Sequence, residues 1–163
     1  MKTTRETLGQ KILRNDLRLL AQLRANARQP VLVLSKGLDL CRITVTKRLQ
    51  LLQKSVIQKY TALLDFAQLG FPVRVQLSVH PALEDCSIFE RFIRQQGCLN
   101  NLYAADGSVY IADLVFQTQT EADRFLSQLD AAFSFADKQV YFITQELVRE
   151  SFFHNVLEGS LCK

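Results

Sequence analysis

Between Arg42 and Lys54 the chain sets hydrogen-bonding and cationic side chains against apolar ones at helical spacing. Val45, Leu49 and Leu52 recur at i, i+4 and i+7, which lines up one apolar face. Arg42, Thr46, Lys47 and Gln50 fall largely on the other side. Guanidinium, ammonium, hydroxyl and amide groups are what phosphates and major-groove base edges require. The same pattern also serves a merely solvated helix, so the neighbouring elements must decide. Nothing else in the chain offers comparable chemistry. Cys41, Cys86, Cys98 and Cys162 lie far apart with no C-x-x-C spacing, and His80 and His154 are isolated. The cysteines read as free thiols of a reducing compartment, and neither a metal site nor a cofactor is expected.

The basic helix needs a partner to hold it. Leu34 to Ile57 reads as a short helix, a tight turn at Leu38-Asp39-Leu40-Cys41 and the basic helix from about Arg42 to Lys54. Asp39 suits the corner, because Asp tolerates left-handed geometry better than most residues. An earlier helix is expected from Asn15 to Asn26, with Leu17, Leu19, Leu20 and Leu23 inward and Asn15 or Asp16 as its cap. Pro30 suits the first turn of the next helix. Val31 to Lys36 conflicts with that, since Val-Leu-Val-Leu is strand-prone. It is read as helix because it must pack to present the basic one. Val56 to Leu64 is expected to form a wing or connecting strand. Asp65 to Leu69 is a helical turn broken by Gly70.

Charge divides the chain in two. Residues 1–60 hold 13 Lys and Arg against three Asp and Glu, a net +10; the rest holds seven against 13, a net −6. The first part suits a polyanion and the second does not. At 163 residues and 48% hydrophobic content, the chain can bury a core in one domain or two small ones. No run of about 18 apolar residues predicts a membrane span. The polar MKTTRETLGQK start lacks the apolar core of a signal peptide, so a cytoplasmic location is expected.

From Phe71 the periodicity changes to two. Val73, Val75, Leu77 and Val79 alternate with Arg74, Gln76 and Ser78 in a half-buried strand. A helix follows over Glu84 to Gln96, then a strand over Cys98 to Ala105. Asp106-Gly107-Ser108 predicts a hairpin turn into a strand over Val109 to Gln117. A helix over Thr120 to Phe133, a strand over Lys138 to Arg149 and a tail over Ser151 to Lys163 complete the chain. The order is β-α-β-β-α-β, the ferredoxin-like arrangement. It leaves one sheet face uncovered, which suits a second copy. The expected fold class is α+β, a winged helix-turn-helix followed by a ferredoxin-like βαββαβ domain. The boundaries are 1–59 for the helix-turn-helix, 60–70 for a linker, 71–150 for the ferredoxin-like part and 151–163 for the tail.

This organisation resembles the Lrp/AsnC family of transcription regulators. Asp16, Leu19, Leu20, Leu23, Asn26, Ala27 and Arg28 look like the family's D-x-x-I-L-x-x-L-x-x-N-A-R. Leu34-Ser35-Lys36 and Leu38 look like its second helix, and Thr44-Val45, Arg48-Leu49 and Leu52 like its T-V-x-x-R-I-x-x-L. Val56-Ile57, Tyr60 and Leu69-Gly70-Phe71 look like the segment that leads into its sensing domain. The family's turn glycine is Asp39 here, its serine cap is Cys41, and the glycine before Val-Ile is Ser55; Leu51 stands where a basic residue is frequent. The sensing domain's G-x-x-D becomes Gly107 through Tyr110.

The resemblance implies a double-stranded-DNA-binding regulator, not an enzyme, acting as a homodimer or higher oligomer through the C-terminal sheet. Arg42, Ile43, Thr46 and Lys47 are the expected base readers, with Thr44 and Gln50 on the same helix. Arg28, Lys36, Arg48 and Lys54 are the expected phosphate contacts, and for Arg48 an internal ion pair is the alternative. A small-molecule effector would sit near Asp106, Gly107 and Tyr110. The acidic residue that would hold an amino group is replaced by Tyr110, so a free amino acid is not expected. Two rivals remain. One is a tetrapyrrole (sirohaem) decarboxylase-like enzyme using His80 and Tyr110 as proton donors. The other is a degenerate paralogue, altered at Asp39, Cys41 and Ser55, that acts by hetero-oligomerisation.

Overall fold

The computed structural model describes residues 13–149 and 151–152. The expected leader over residues 1–10 and nearly all of the expected tail lie outside them. The chain divides into two compact units. Among the described residues, one unit holds those up to Ala62 together with Val148, Arg149, Ser151 and Phe152; the other is Leu63–Leu147.

The first unit is built from helices α1 (Arg14–Ala25), α2 (Val31–Leu38) and α3 (Arg42–Ser55). Neither Asn15 nor Asp16 caps α1 from the front. The helix begins after Leu13, whose N–H donates to Asp16 Oδ2 at 2.8 Å, the backward-reaching half of a capping box. The strand-prone Val-Leu-Val-Leu is helical in α2, because Leu34 and Leu38, four apart, reach one core while no strand lies alongside to pair with. Pro30 sits just outside α2 as its N-terminal flank. Asp39 (φ 55°, ψ 46°) then turns the chain in the left-handed conformation, and the Leu40 N–H donates to Ser35 O at 3.0 Å. Leu19, Leu20, Leu23, Leu34, Leu38, Val45 and Leu52 form the core, with Leu49 and Ile57 half-buried against it. Leu34 and Val45 are fully buried. Each contributes about 1.5–3 kcal/mol by that burial, more than the propensity cost of a β-branched residue in a helix.

The wing is a correction. No strand lies between α3 and Val73 among the described residues. Val56 to Leu64 has β-prone side chains, but a wing needs a hydrogen-bonded partner strand, and none is adjacent. Asp65 to Leu69 does form a turn, closed by Gly70 at φ 89°.

The second unit runs β1 (Val73–Pro81), α4 (Cys86–Arg94), β2 (Leu99–Ala105), β3 (Val109–Phe116), α5 (Gln119–Ala132) and β4 (Phe135–Phe142). The strands pair antiparallel in the order β2-β3-β1-β4. Gly107 (φ 67°) and Ser108 (φ 70°) make the turn between β2 and β3, where the D-G pair predicts it. Strand β4 differs from expectation, starting at Phe135 and ending at Phe142 instead of running from Lys138 to Arg149. Its register against β1 runs from Val75↔Phe142 to Pro81↔Phe135, and once the Ile143 N–H has donated to Arg74 O at 2.9 Å only Val73 of β1 remains, so the expected run to Arg149 has no edge to pair with. Val75, Leu77 and Val79 pack with Phe89 and Ile93 of α4 and with Ala122, Phe125 and Leu129 of α5. Phe89 meets Tyr110, Phe133 and Phe135 at ring-centroid distances of 5.3, 5.5 and 5.8 Å.

Candidate nucleic-acid interface

One face of α3 presents the polar surface that the sequence predicts. Arg42, Ile43, Thr46, Lys47, Gln50 and Lys54 are all exposed. At 3.6 residues per turn they occupy an arc of about 140°, opposite buried Val45 and Leu52. Lys36 on α2 and Arg28 in the turn after α1 are also exposed. The Arg28 N–H donates to Asn26 Oδ1 at 2.9 Å, which fixes that turn.

Two expected contacts leave this face. Arg48 pairs internally, its Nε 3.4 Å from Asp16 Oδ1, with Asp16 3% exposed. The pair ties α3 to the start of α1, and Asp16 Oδ1 accepts no hydrogen bond. Thr44 points off the arc, its Oγ1 3.0 Å from Cys41 Sγ at the start of α3. The Thr44 hydroxyl, above all, holds the exposed Cys41 thiol below its ordinary pKa. Gln53, not singled out from sequence, donates from Nε2 to the Tyr60 hydroxyl at 3.1 Å and fastens the chain leaving α3.

The expected effector residues do not converge. Asp106 and Gly107 are exposed at the hairpin tip. Tyr110 lies on the helix-covered sheet face, 8% exposed, its hydroxyl donating to Cys86 O at 3.4 Å. Burial, then the Glu90 carboxylate, pushes its phenol upward in pKa, so it stays a neutral donor. A cleft of about 400 Å³ opens at the other end of β2 and β3, between Phe66, Leu69, Phe71, Cys98, Val115 and Glu121.

The open sheet face carries a cluster that sequence reasoning missed. Arg74 lies 3.6 Å from Asp113 and 3.3 Å from Glu146, with its guanidinium 6.0 Å from the Phe66 ring centroid. Asn100 and Asn101 donate to Asp113 Oδ2 at 2.9 and 3.2 Å. Its one sequence signal is an Arg near the start of a half-buried strand, two residues from the next polar position. Among the described residues no three His, Cys, Asp or Glu side chains are placed to hold a metal ion, and no helix is long and apolar enough to cross a membrane.

The chain matches no family model and no curated protein. Solved structures do match. LrpC of B. subtilis is 21% identical, with a TM-score of 0.73 over 88% of this chain and 99% of that one. A transcriptional regulator from Neisseria meningitidis, solved as a complex with L-methionine, is 20% identical, with a TM-score of 0.74 over 88% and 94%. An AsnC family transcriptional regulator from Agrobacterium tumefaciens is 22% identical, with a TM-score of 0.72 over 84% and 93%. The fold is that of the Lrp/AsnC regulators.

Within the Lrp/AsnC fold the departures in the turn cost this chain little geometry. Asp39 adopts the left-handed conformation that a glycine would take there. Cys41 flanks α3 with extended backbone (φ −69°, ψ 149°), as an N-cap does, without a side-chain bond to the helix N–H groups. Ser55 ends α3 and donates from Oγ to Leu51 O at 2.8 Å.

Proposed function

We propose that the chain is a sequence-specific, DNA-binding transcriptional regulator of the cytoplasm, working as a homodimer or higher oligomer. The carrying observation is the exposed face of α3, where cationic and amide side chains surround one apolar residue and no acidic one intervenes. Arg42, Ile43, Thr46, Lys47 and Gln50 read base edges in this scheme, and Lys36, Lys54 and Arg28 bind phosphates. Arg48 positions α3 through Asp16. The open sheet face, with Tyr103, Ile111, Val115 and Tyr141, is the surface for a second copy, which would set two copies of α3 about one or more helical turns of DNA apart.

The decarboxylase reading has no support in the sheet. His80 lies on the open face, whereas Tyr110, opposite Val79, lies on the helix-covered face, so the two donors cannot share a substrate. An effector, if the Lrp/AsnC scheme extends that far, needs a site other than Tyr110.

Selection of bound sequences from random duplex DNA, at two salt concentrations, tests the reading. A two-fold symmetric consensus is the expected result. Absence of binding even at low salt would overturn it.

A further inference from the structure

Ile43 is 69% exposed, the most exposed of the large apolar side chains on the helices of the first unit. It belongs to neither the buried nor the half-buried part of that core. Scattered exposed apolar residues are ordinary, but the surroundings of Ile43 are particular. It sits on the second residue of α3, with Arg42 beside it and Thr46 and Lys47 one turn on. All three are exposed. Recognition helices reach base edges chiefly through their N-terminal residues. A β-branched side chain in a helix is held in essentially one χ1 rotamer, so its methyl groups have a fixed position. The Thr46 side chain adds another methyl on the same arc. This is an apolar spot of fixed shape inside a ring of phosphate- and base-binding groups.

The major groove offers one complementary apolar feature, the C5 methyl of a pyrimidine. We propose that Ile43, with Thr46 at its edge, reads the 5-methyl group of one thymine in each half-site. Arg42 and Lys47 take the neighbouring acceptors. The proposal rests on the DNA-binding reading above and adds the identity of one base. The same contact accepts 5-methylcytosine in place of thymine, because the methyl lies at the same groove position.

The test uses the full chain and its selected duplex, with each thymine in turn replaced by deoxyuridine, which lacks only that methyl. At one position per half-site, deoxyuridine should weaken binding by about four-fold, the equivalent of one buried carbon. In Ile43→Ala the thymine and deoxyuridine duplexes should bind alike. Ile43→Val, which keeps a branched methyl, should retain part of the difference. Equal binding of wild type to every substituted duplex overturns this proposal and leaves the DNA-binding reading intact. Failure to bind the selection pool at all overturns both. A thymine preference that persists unchanged in Ile43→Ala assigns the methyl to another residue and overturns the role of Ile43.

Discussion

Replacing Arg48 by Met removes the guanidinium but keeps an aliphatic stem of similar reach. Asp16, with its side chain 5% exposed, is then left with the Leu13 N–H as its hydrogen-bond donor. Breaking a fully buried ion pair by removing one partner costs about 3–5 kcal/mol. Here Arg48 is 29% exposed, the pair is 3.4 Å apart, and the N-terminus of α1 partly compensates the carboxylate. A destabilisation of about 2 kcal/mol is therefore expected for Arg48→Met. Asp16→Ala should cost about 1 kcal/mol, chiefly the lost bond to the helix start, because the Arg48 head can turn to water. The double variant should cost little more than Asp16→Ala alone, a coupling of about 1.5 kcal/mol. Urea unfolding followed by far-ultraviolet circular dichroism measures all three, with an unchanged m-value as the control. DNA binding supplies the second arm. Arg48→Met should leave the salt dependence of binding unaltered, whereas Lys36→Met should reduce its slope by about one. Additive costs, together with a reduced salt slope in Arg48→Met, would refute the pairing and return Arg48 to the phosphates.

Three smaller effects are expected. Cys41 should react with iodoacetamide at neutral pH faster than Cys98, whose thiol is half-buried and raised in pKa by that burial; Thr44→Val should slow Cys41, read by mass spectrometry of the labelled peptides. Gly37→Ala should stabilise the helical unit by about 0.5–1 kcal/mol in thermal unfolding, since the new methyl meets only the end of the flexible Gln22 side chain, 2.7 Å from Nε2. Thr118→Ala should destabilise the sheet unit by about 1 kcal/mol, because Thr118 Oγ1 accepts the Glu121 N–H at 3.2 Å while Glu121 reaches back to the Gln117 N–H at 3.1 Å. Hydrogen exchange at the first turn of α5 reports that loss.

The helices and most strands were legible because burial imposes its period on the side chains. Val75, Leu77 and Val79 alternate, and Leu34 and Leu38 repeat at helical spacing, for that reason. Asp39 was legible as the corner because few other residues there would accept left-handed geometry. The wing was not, because β-branched side chains in Val56 to Leu64 announce a preference and not a partner. The end of β4 failed in the same way, since a strand stops where its neighbour stops. Of the α3 face, Arg42, Thr46, Lys47 and Gln50 were readable from spacing. The commitment of Arg48 to Asp16 joins residues from two helices, and no local pattern displays it. The Arg74 cluster draws on β1, β2, β3 and the chain beyond β4, so it too is visible only in three dimensions.

The strand order also sets a timetable. Everything in the helical core lies between Leu19 and Ile57 and is joined by near neighbours in sequence. Such local contacts close quickly, and during synthesis the first unit to emerge folds first. Central strand β1 has no such neighbour. One flank waits for β3, which begins at Val109, and the other for β4, which begins at Phe135. A nascent chain would thus carry a finished three-helix unit while half its sheet still lacked a hydrogen-bonding edge. The open face could not meet another copy until nearly the whole chain had left the ribosome.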